Sequence, residues 1–255
     1  MQPEAAARRI WAAWSSGEVI EGLFGDERPD SLTEGFRIQA CLPGISGQTV
    51  AGWKLAATNP AGQAHIGVDG PLPGRLLASQ MLMDGASVPI QENRMRVAEA
   101  EFGFTLARDL PPIPQKYELA TIRAATASVH PCIEIPDSRI ADFAAAGAPQ
   151  LAADCACAQW FVKGRAKNLD GLDLATHSAR LLVNGTVVVE GSGADVLGSP
   201  WNALLWLANA HEITGGLRAG QVITTGVCGR PAPVGSGDRI EVDMGVIGAV
   251  SATMT

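Results

Sequence analysis

Val97-Ala98-Glu99-Ala100-Glu101-Phe102-Gly103-Phe104-Thr105-Leu106 is the stretch on which the reading of this chain turns. As a strand, it sends successive side chains to opposite faces. Ala98, Ala100, Phe102, Phe104 and Leu106 then form one face, which predicts burial in a core. Glu99, Glu101, Gly103 and Thr105 form the other. A third acid, Glu134, lies in Cys132-Ile133-Glu134-Ile135-Pro136, again between residues that favour burial. Carboxylates in such surroundings are costly unless positive charge compensates them. A divalent cation would do so, and hard carboxylate oxygens suit Mg²⁺ or Mn²⁺. Glu99 and Glu101 alone would also fit a solvated strand face. With Glu134 added, the expectation is a metal centre on which a substrate docks.

Composition narrows the classes. At 255 residues the chain can bury a full core as one domain, or one domain with a small appendage. A net charge of −7 argues against a general nucleic-acid binder, which would carry a basic face. No apolar run reaches the roughly 18 residues needed to span a bilayer. The first residues, Met1 to Trp11, carry charge and lack the apolar core of a signal peptide. The 5 cysteines show no Cys-x-x-Cys spacing, which fits reduced, mostly buried thiols in a cytoplasmic protein.

Along the chain, apolar spacing predicts helices over 4–15, 32–39 and 117–127. Strands are expected over 51–57, 129–135, 221–225, 239–244 and 248–254, with a rigid loop over 68–74. Asn59-Pro60 marks the start of a further helix. Asn184-Gly185 predicts a type I′ hairpin turn between 181 and 189. Ser199-Pro200 opens a helix to about 213, closed by Gly215-Gly216. This is an α+β pattern, strand-heavy in its second two-thirds, with a helical N-terminal cap.

Taken in order, several motifs resemble the fumarylacetoacetate hydrolase superfamily, in its branch of 2-hydroxypenta-2,4-dienoate hydratases and 4-oxalocrotonate decarboxylases. They are Gly52-Trp53-Lys54-Leu55-Ala56-Ala57-Thr58, Ala98 to Phe104 with Arg108-Asp109-Leu110, and Ile133-Glu134-Ile135-Pro136-Asp137-Ser138-Arg139-Ile140. Val196-Leu197-Gly198-Ser199-Pro200 and Leu217 to Gly226 complete the set. The resemblance implies a mixed β-roll like the C-terminal domain of fumarylacetoacetase, assembled as a homo-oligomer. Residues 1–75 would form the cap and first active-site strand, and 76–255 the catalytic roll, together one compact unit. It also implies Glu99, Glu101 and Glu134 as ligands of Mg²⁺ (or Mn²⁺) and Lys54 as the active-site lysine. The substrate would be a small 2-oxo acid, with Thr58, Thr225 and Gly226 lining the pocket for its carboxylate.

The expected reaction is hydration of 2-hydroxypenta-2,4-dienoate to 4-hydroxy-2-oxopentanoate, within aromatic meta-cleavage catabolism. C5 takes a proton, water adds at C4, and the metal polarises the 2-oxo oxygen. The same electron sink would serve a decarboxylase, which is the first alternative. The chain departs from the family at two points. Leu72 stands where relatives often carry an acid for proton transfer, leaving Asp69 or His65 as candidates for that role. Val227 follows the Thr-Gly turn where a serine is common. A C–C bond hydrolase would need a water-activating His–Glu pair, and no histidine precedes His65. A non-catalytic partner subunit, in complex with a neighbouring pathway enzyme, is the remaining alternative. Asp137 and Arg139 are read as an ordinary ion pair or as supports behind the ligands.

Overall fold

The computed structural model describes residues 1–255. The strands are β1 (Val50–Ala56), β2 (Leu72–Leu77), β3 (Met81–Met83), β4 (Ala86–Val88), β5 (Val97–Leu106), β6 (Thr126–Ile135) and β7 (Trp160–Lys163). After these come β8 (Ser178–Val183), β9 (Thr186–Ser192), β10 (Val222–Val227), β11 (Ala232–Pro233), β12 (Arg239–Asp243) and β13 (Ala249–Met254). The helices are α1 (Pro3–Ser16), α2 (Leu32–Ser46), α3 (Pro60–Ile66), α4 (Leu119–Ala125), α5 (Phe143–Ala146), α6 (Ala148–Ala153), α7 (Pro200–Asn209) and α8 (His211–Thr214).

Two sheets carry the fold. An 8-stranded mixed sheet runs β2-β1-β10-β5-β6-β7-β3, with β11 paired to β5. A 5-stranded sheet runs β4-β13-β12-β8-β9. The period-2 alternation of β5 decides how the layers stack. Its even-numbered residues, Ala98 to Leu106, enter a core of 38 buried side chains that also takes Leu181, Ile240 and Val250 of the second sheet and Leu204 and Leu207 of α7. The opposite face of the large sheet is covered by the N-terminal helices. There Ile10 of α1 and Ile38 and Leu42 of α2 pack on Leu76, Cys132, Phe161 and Val222. The face bearing the glutamates is therefore the face turned toward the helices.

Several local expectations hold with shifted bounds. Asn184 (φ +52°) and Gly185 (φ +81°) take the left-handed conformations that a type I′ turn requires. The Asn59 side chain accepts the Gly62 amide and caps α3. α2 runs seven residues past the expected end at 39, because buried Leu42 anchors it on the sheet, and Pro43 is accommodated near its C-terminal end. The loop expected over 68–74 becomes strand from Leu72. Pro73 is tolerated there because β2 is an edge strand, where a missing N–H breaks no ladder. The helix expected to run to 213 breaks at Ala210, and Gly215 ends the short α8. β1 and β2 belong to the same sheet as β5 and β10, so a boundary at 75 falls inside β2. No helix is long and apolar enough to cross a membrane.

Candidate metal centre and cavity

β5 and β6 pair antiparallel with Glu99 opposite Glu134 and Glu101 opposite Cys132. Alternation then places all three carboxylates on one face. One oxygen from each lies within 4.8 Å of the others. Glu101 and Glu134 are fully buried and Glu99 is half-buried. Lys54, also buried, comes from β1, and its Nζ lies 3.0 Å from Glu134 Oε1. That contact is a close ion pair without the angular geometry of a hydrogen bond. The hydrogen bond of Lys54 goes instead to the Ala156 carbonyl, at 2.9 Å.

Glu101 is oriented by a bulge. The β10–β5 register slips between Thr224, opposite Gly103, and Val227, opposite Glu101. The slip turns the Gly226 amide onto Glu101 Oε2 at 2.9 Å. Gly226 sits at φ +100°, and a Cβ there would stand 1.9 Å from Thr58 Oγ1. Only glycine meets both demands.

The electrostatics are those of a site short of positive charge. Burial, then the Glu134 charge, pushes the Glu99 carboxyl from the usual 4.5 up to about 7, against the opposing pull of Lys54. Burial followed by Glu134 and Glu99 holds Glu101 well above the ordinary carboxylate range. Burial also disfavours the Lys54 ammonium, but Glu134 foremost, then Glu99, outweigh it and raise its pKa. Glu101 Oε1 and both Glu134 oxygens are buried with no hydrogen-bond donor. Three clustered carboxylates facing one ammonium, with three lone-pair-bearing oxygens unsatisfied, match the demand of a hard divalent cation. Glu99, Glu101 and Glu134 could hold one.

The carbonyl that meets Lys54 is presented by an unusual turn. Cys155, Ala156 and Cys157 take φ of +51°, +50° and +63°. Each such non-glycine residue costs about 1–3 kcal/mol and persists only where its surroundings over-determine it. Two features fix this turn. Gly74 of β2 lies beneath it, where a Cβ would come within 1.8 Å of the Cys155 carbonyl oxygen. Behind it Arg139 ties its ends together: Nε to Asp154 Oδ1, Nη2 to the Asp154 carbonyl at 2.6 Å, and Nη1 to the Ala158 carbonyl at 2.7 Å. Ser138 Oγ donates to the second Asp154 oxygen at 2.8 Å. The partner of Arg139 is thus Asp154 and not Asp137, which corrects the simple pairing read from the sequence. Asp137 Oδ1 accepts the Arg94 and Met95 amides at 3.1 and 3.3 Å.

A cavity of about 600 Å³ opens on this cluster. Lys54, Glu99, Ala156 and Cys157 line its charged end, together with Thr58 and Val227. Ile66, Leu72, Met95, Phe143 and Leu151 line a broad apolar side, and Arg94 and Arg230 stand among the exposed residues of the lining. His65 of α3 also lines the cavity, with its ring edge-on to Phe143 at 6.1 Å. Asp69 is exposed in the loop after α3 and is not among the lining residues. The Thr225 hydroxyl donates to the Phe102 carbonyl at 3.1 Å and so faces the interior of the sheet. Gly226 contributes its amide to Glu101 instead of to the cavity. The sequence reading missed Arg94, Arg230 and the Ala156 carbonyl. No residue pattern advertises a left-handed turn made of Cys-Ala-Cys.

The model of the fumarylacetoacetate hydrolase C-terminal family matches residues 77–255. The chain is 33% identical over 253 residues to a 2-keto-4-pentenoate hydratase of Burkholderia vietnamiensis, covering 98% of this chain and 96% of that protein. It is likewise 33% identical to 2-keto-4-pentenoate hydratase 2 of Dechloromonas aromatica, over 99% of this chain and 97% of that one. Its structure is similar to that of 4-oxalocrotonate decarboxylase from Pseudomonas putida G7, complexed with magnesium and adipate. That likeness has a TM-score of 0.90 and 29% identity, over 100% of this chain and 97% of the other. The mixed two-sheet architecture with its N-terminal helices is thus the fold expected from the motifs, and the chain belongs to the fumarylacetoacetate hydrolase family.

Proposed function

We propose that this protein is a Mg²⁺- or Mn²⁺-dependent hydro-lyase that converts 2-hydroxypenta-2,4-dienoate to 4-hydroxy-2-oxopentanoate. The observation that carries the reading is the buried Glu99–Glu101–Glu134 cluster beside Lys54, at the charged end of a largely apolar cavity. The names of the hydratases it resembles over nearly full length support the reaction, and the magnesium in the similar decarboxylase structure supports the ion. When bound, such a cation supplies Lewis-acid polarisation of a 2-oxo oxygen.

The chain's own residues do the rest. Lys54 stays protonated between Glu134 and the Ala156 carbonyl and offers fixed positive charge to the substrate's carboxylate or 2-oxo oxygen. Thr58, held over Gly226, offers a hydroxyl from the cavity lining. His65 is the imidazole on the lining, and its side chain is exposed. It is assigned proton transfer at the distal carbons, the role that Leu72 cannot fill. Five unpaired thiols support a reducing, cytoplasmic setting.

Decarboxylation is the second reading. Arg94 and Arg230 favour it, because guanidinium groups at the cavity could receive a second carboxylate. The deciding experiment follows the ultraviolet decay of freshly generated 2-hydroxypenta-2,4-dienoate, with Mg²⁺ and with a chelator, and identifies the product. Metal-dependent loss with 4-hydroxy-2-oxopentanoate as product is expected. Release of CO₂ from 4-oxalocrotonate without hydration of the dienoate would overturn the hydratase assignment.

A further inference from the structure

The cavity is larger and more apolar than a five-carbon acid requires. Its volume of about 600 Å³ falls in the range of pockets, roughly 300–1,000 Å³, that enclose drug-sized molecules. One side of it is a continuous apolar cluster distinct from the two main cores. Leu72 and Leu151 are fully buried there beside Ala156 and Cys157, with Ile66, Met95 and Phe143 packed against them. Those same side chains line the cavity. Because Ala156 and Cys157 belong to both the charged end and this cluster, the apolar side begins at Lys54 and runs outward to the α3 and α5 side chains. A substrate whose 2-oxo acid end meets Lys54 and the glutamates would lay its remaining carbons along it.

The charged alternatives are weaker on geometry. The Arg94 guanidinium donates to the Ala141 carbonyl at 3.2 Å, and that of Arg230 to the Pro231 and Val188 carbonyls at 3.4 and 3.3 Å. Both side chains are exposed, and backbone oxygens already take part of their donor capacity.

Resting on the reading of this centre as one for 2-oxo acids, with the five-carbon dienoate as the shortest substrate, we infer that it prefers homologues carrying an apolar alkyl or aryl group beyond the fifth carbon, seated on Leu72, Leu151, Met95, Ile66 and Phe143. The test measures equilibrium binding by calorimetry, so that it does not depend on turnover. The Mn²⁺-loaded protein is titrated with pyruvate, 2-oxopentanoate, 2-oxooctanoate, 2-oxoheptanedioate and octanoate. Each buried methylene strengthens binding by up to about fourfold, so 2-oxooctanoate should bind at least about tenfold more tightly than 2-oxopentanoate. 2-Oxoheptanedioate should bind more weakly than 2-oxooctanoate. Phe143→Ser, checked for folding by its melting curve, should cut the ratio of 2-oxooctanoate to pyruvate affinity by about threefold or more. Affinity that is flat with chain length, or highest for the diacid, overturns the inference while leaving the 2-oxo acid site standing. Octanoate binding as tightly as 2-oxooctanoate, or no 2-oxo acid binding at all, overturns the 2-oxo acid reading and the inference with it.

Discussion

Replacing Arg139 with methionine should both destabilise the protein and loosen the candidate active site. Arg139 and Asp154 are 4% and 0% exposed, and the guanidinium also holds the Asp154 and Ala158 carbonyls. Removing one member of a buried, hydrogen-bonded pair costs about 3–5 kcal/mol, because the remaining charge keeps its desolvation penalty. At about 2–4 °C per kcal/mol for a chain near this size, the midpoint of thermal unfolding should fall by about 6–20 °C. Burial already raises the Asp154 carboxyl pKa, with Arg139 pulling it back down. A carboxyl whose folded pKa is raised contributes stability that is present at low pH and lost as pH rises through that value. Arg139→Met raises it further, so the deficit should be larger at pH 8 than at pH 5. The double variant Arg139→Met, Asp154→Leu should recover part of the loss, since no buried charge remains. Scanning calorimetry of the wild type and both variants at the two pH values is the assay. A single variant melting within about 2 °C of wild type, or a double variant no better than the single, would refute the reasoning.

Three further outcomes follow from the geometry. Gly74→Ala puts a Cβ within 1.8 Å of the Cys155 carbonyl, so the turn must move and Lys54 loses its fixed partner; kcat should fall more than about tenfold, as steady-state kinetics would show. His65→Gln should lower kcat by about 10²–10⁴-fold if His65 moves the proton, and an unchanged rate would remove it from that role. Since Glu99 is raised from 4.5 to about 7 and Glu101 is also raised, a bound cation must displace protons from them. The rise in melting temperature produced by Mg²⁺ should therefore grow between pH 4.5 and 7, and an increment that shrinks over that window would contradict the ligand assignment.

The legible part of this molecule was its alternation. β5 declares in its residues a core face and an acidic face, and β6 repeats the pattern at Glu134, so the carboxylate cluster that could hold a metal is legible in the sequence. Short polar signatures were legible too, including the Asn59 cap and the Asn184-Gly185 turn, because those side chains have specific local conformations. What the sequence hid was long-range. Arg139 sits two residues from Asp137 but finds its charge partner at Asp154, because the chain folds α5 and α6 between them. Thr225 and Gly226 looked like pocket residues, yet the bulge turns one to Phe102 and the other to Glu101. The left-handed Cys155–Cys157 turn is set by packing on Gly74 and the Arg139 clamp, and neither cysteine nor alanine signals it.

The most direct test of the central claim is a crystal of the protein soaked in Mn²⁺ and measured at the manganese absorption edge. An anomalous peak among the carboxylates of Glu99, Glu101 and Glu134, beside Lys54, is predicted, together with its loss in Glu101→Gln. A peak elsewhere, or equal occupancy in that variant, would contradict the account.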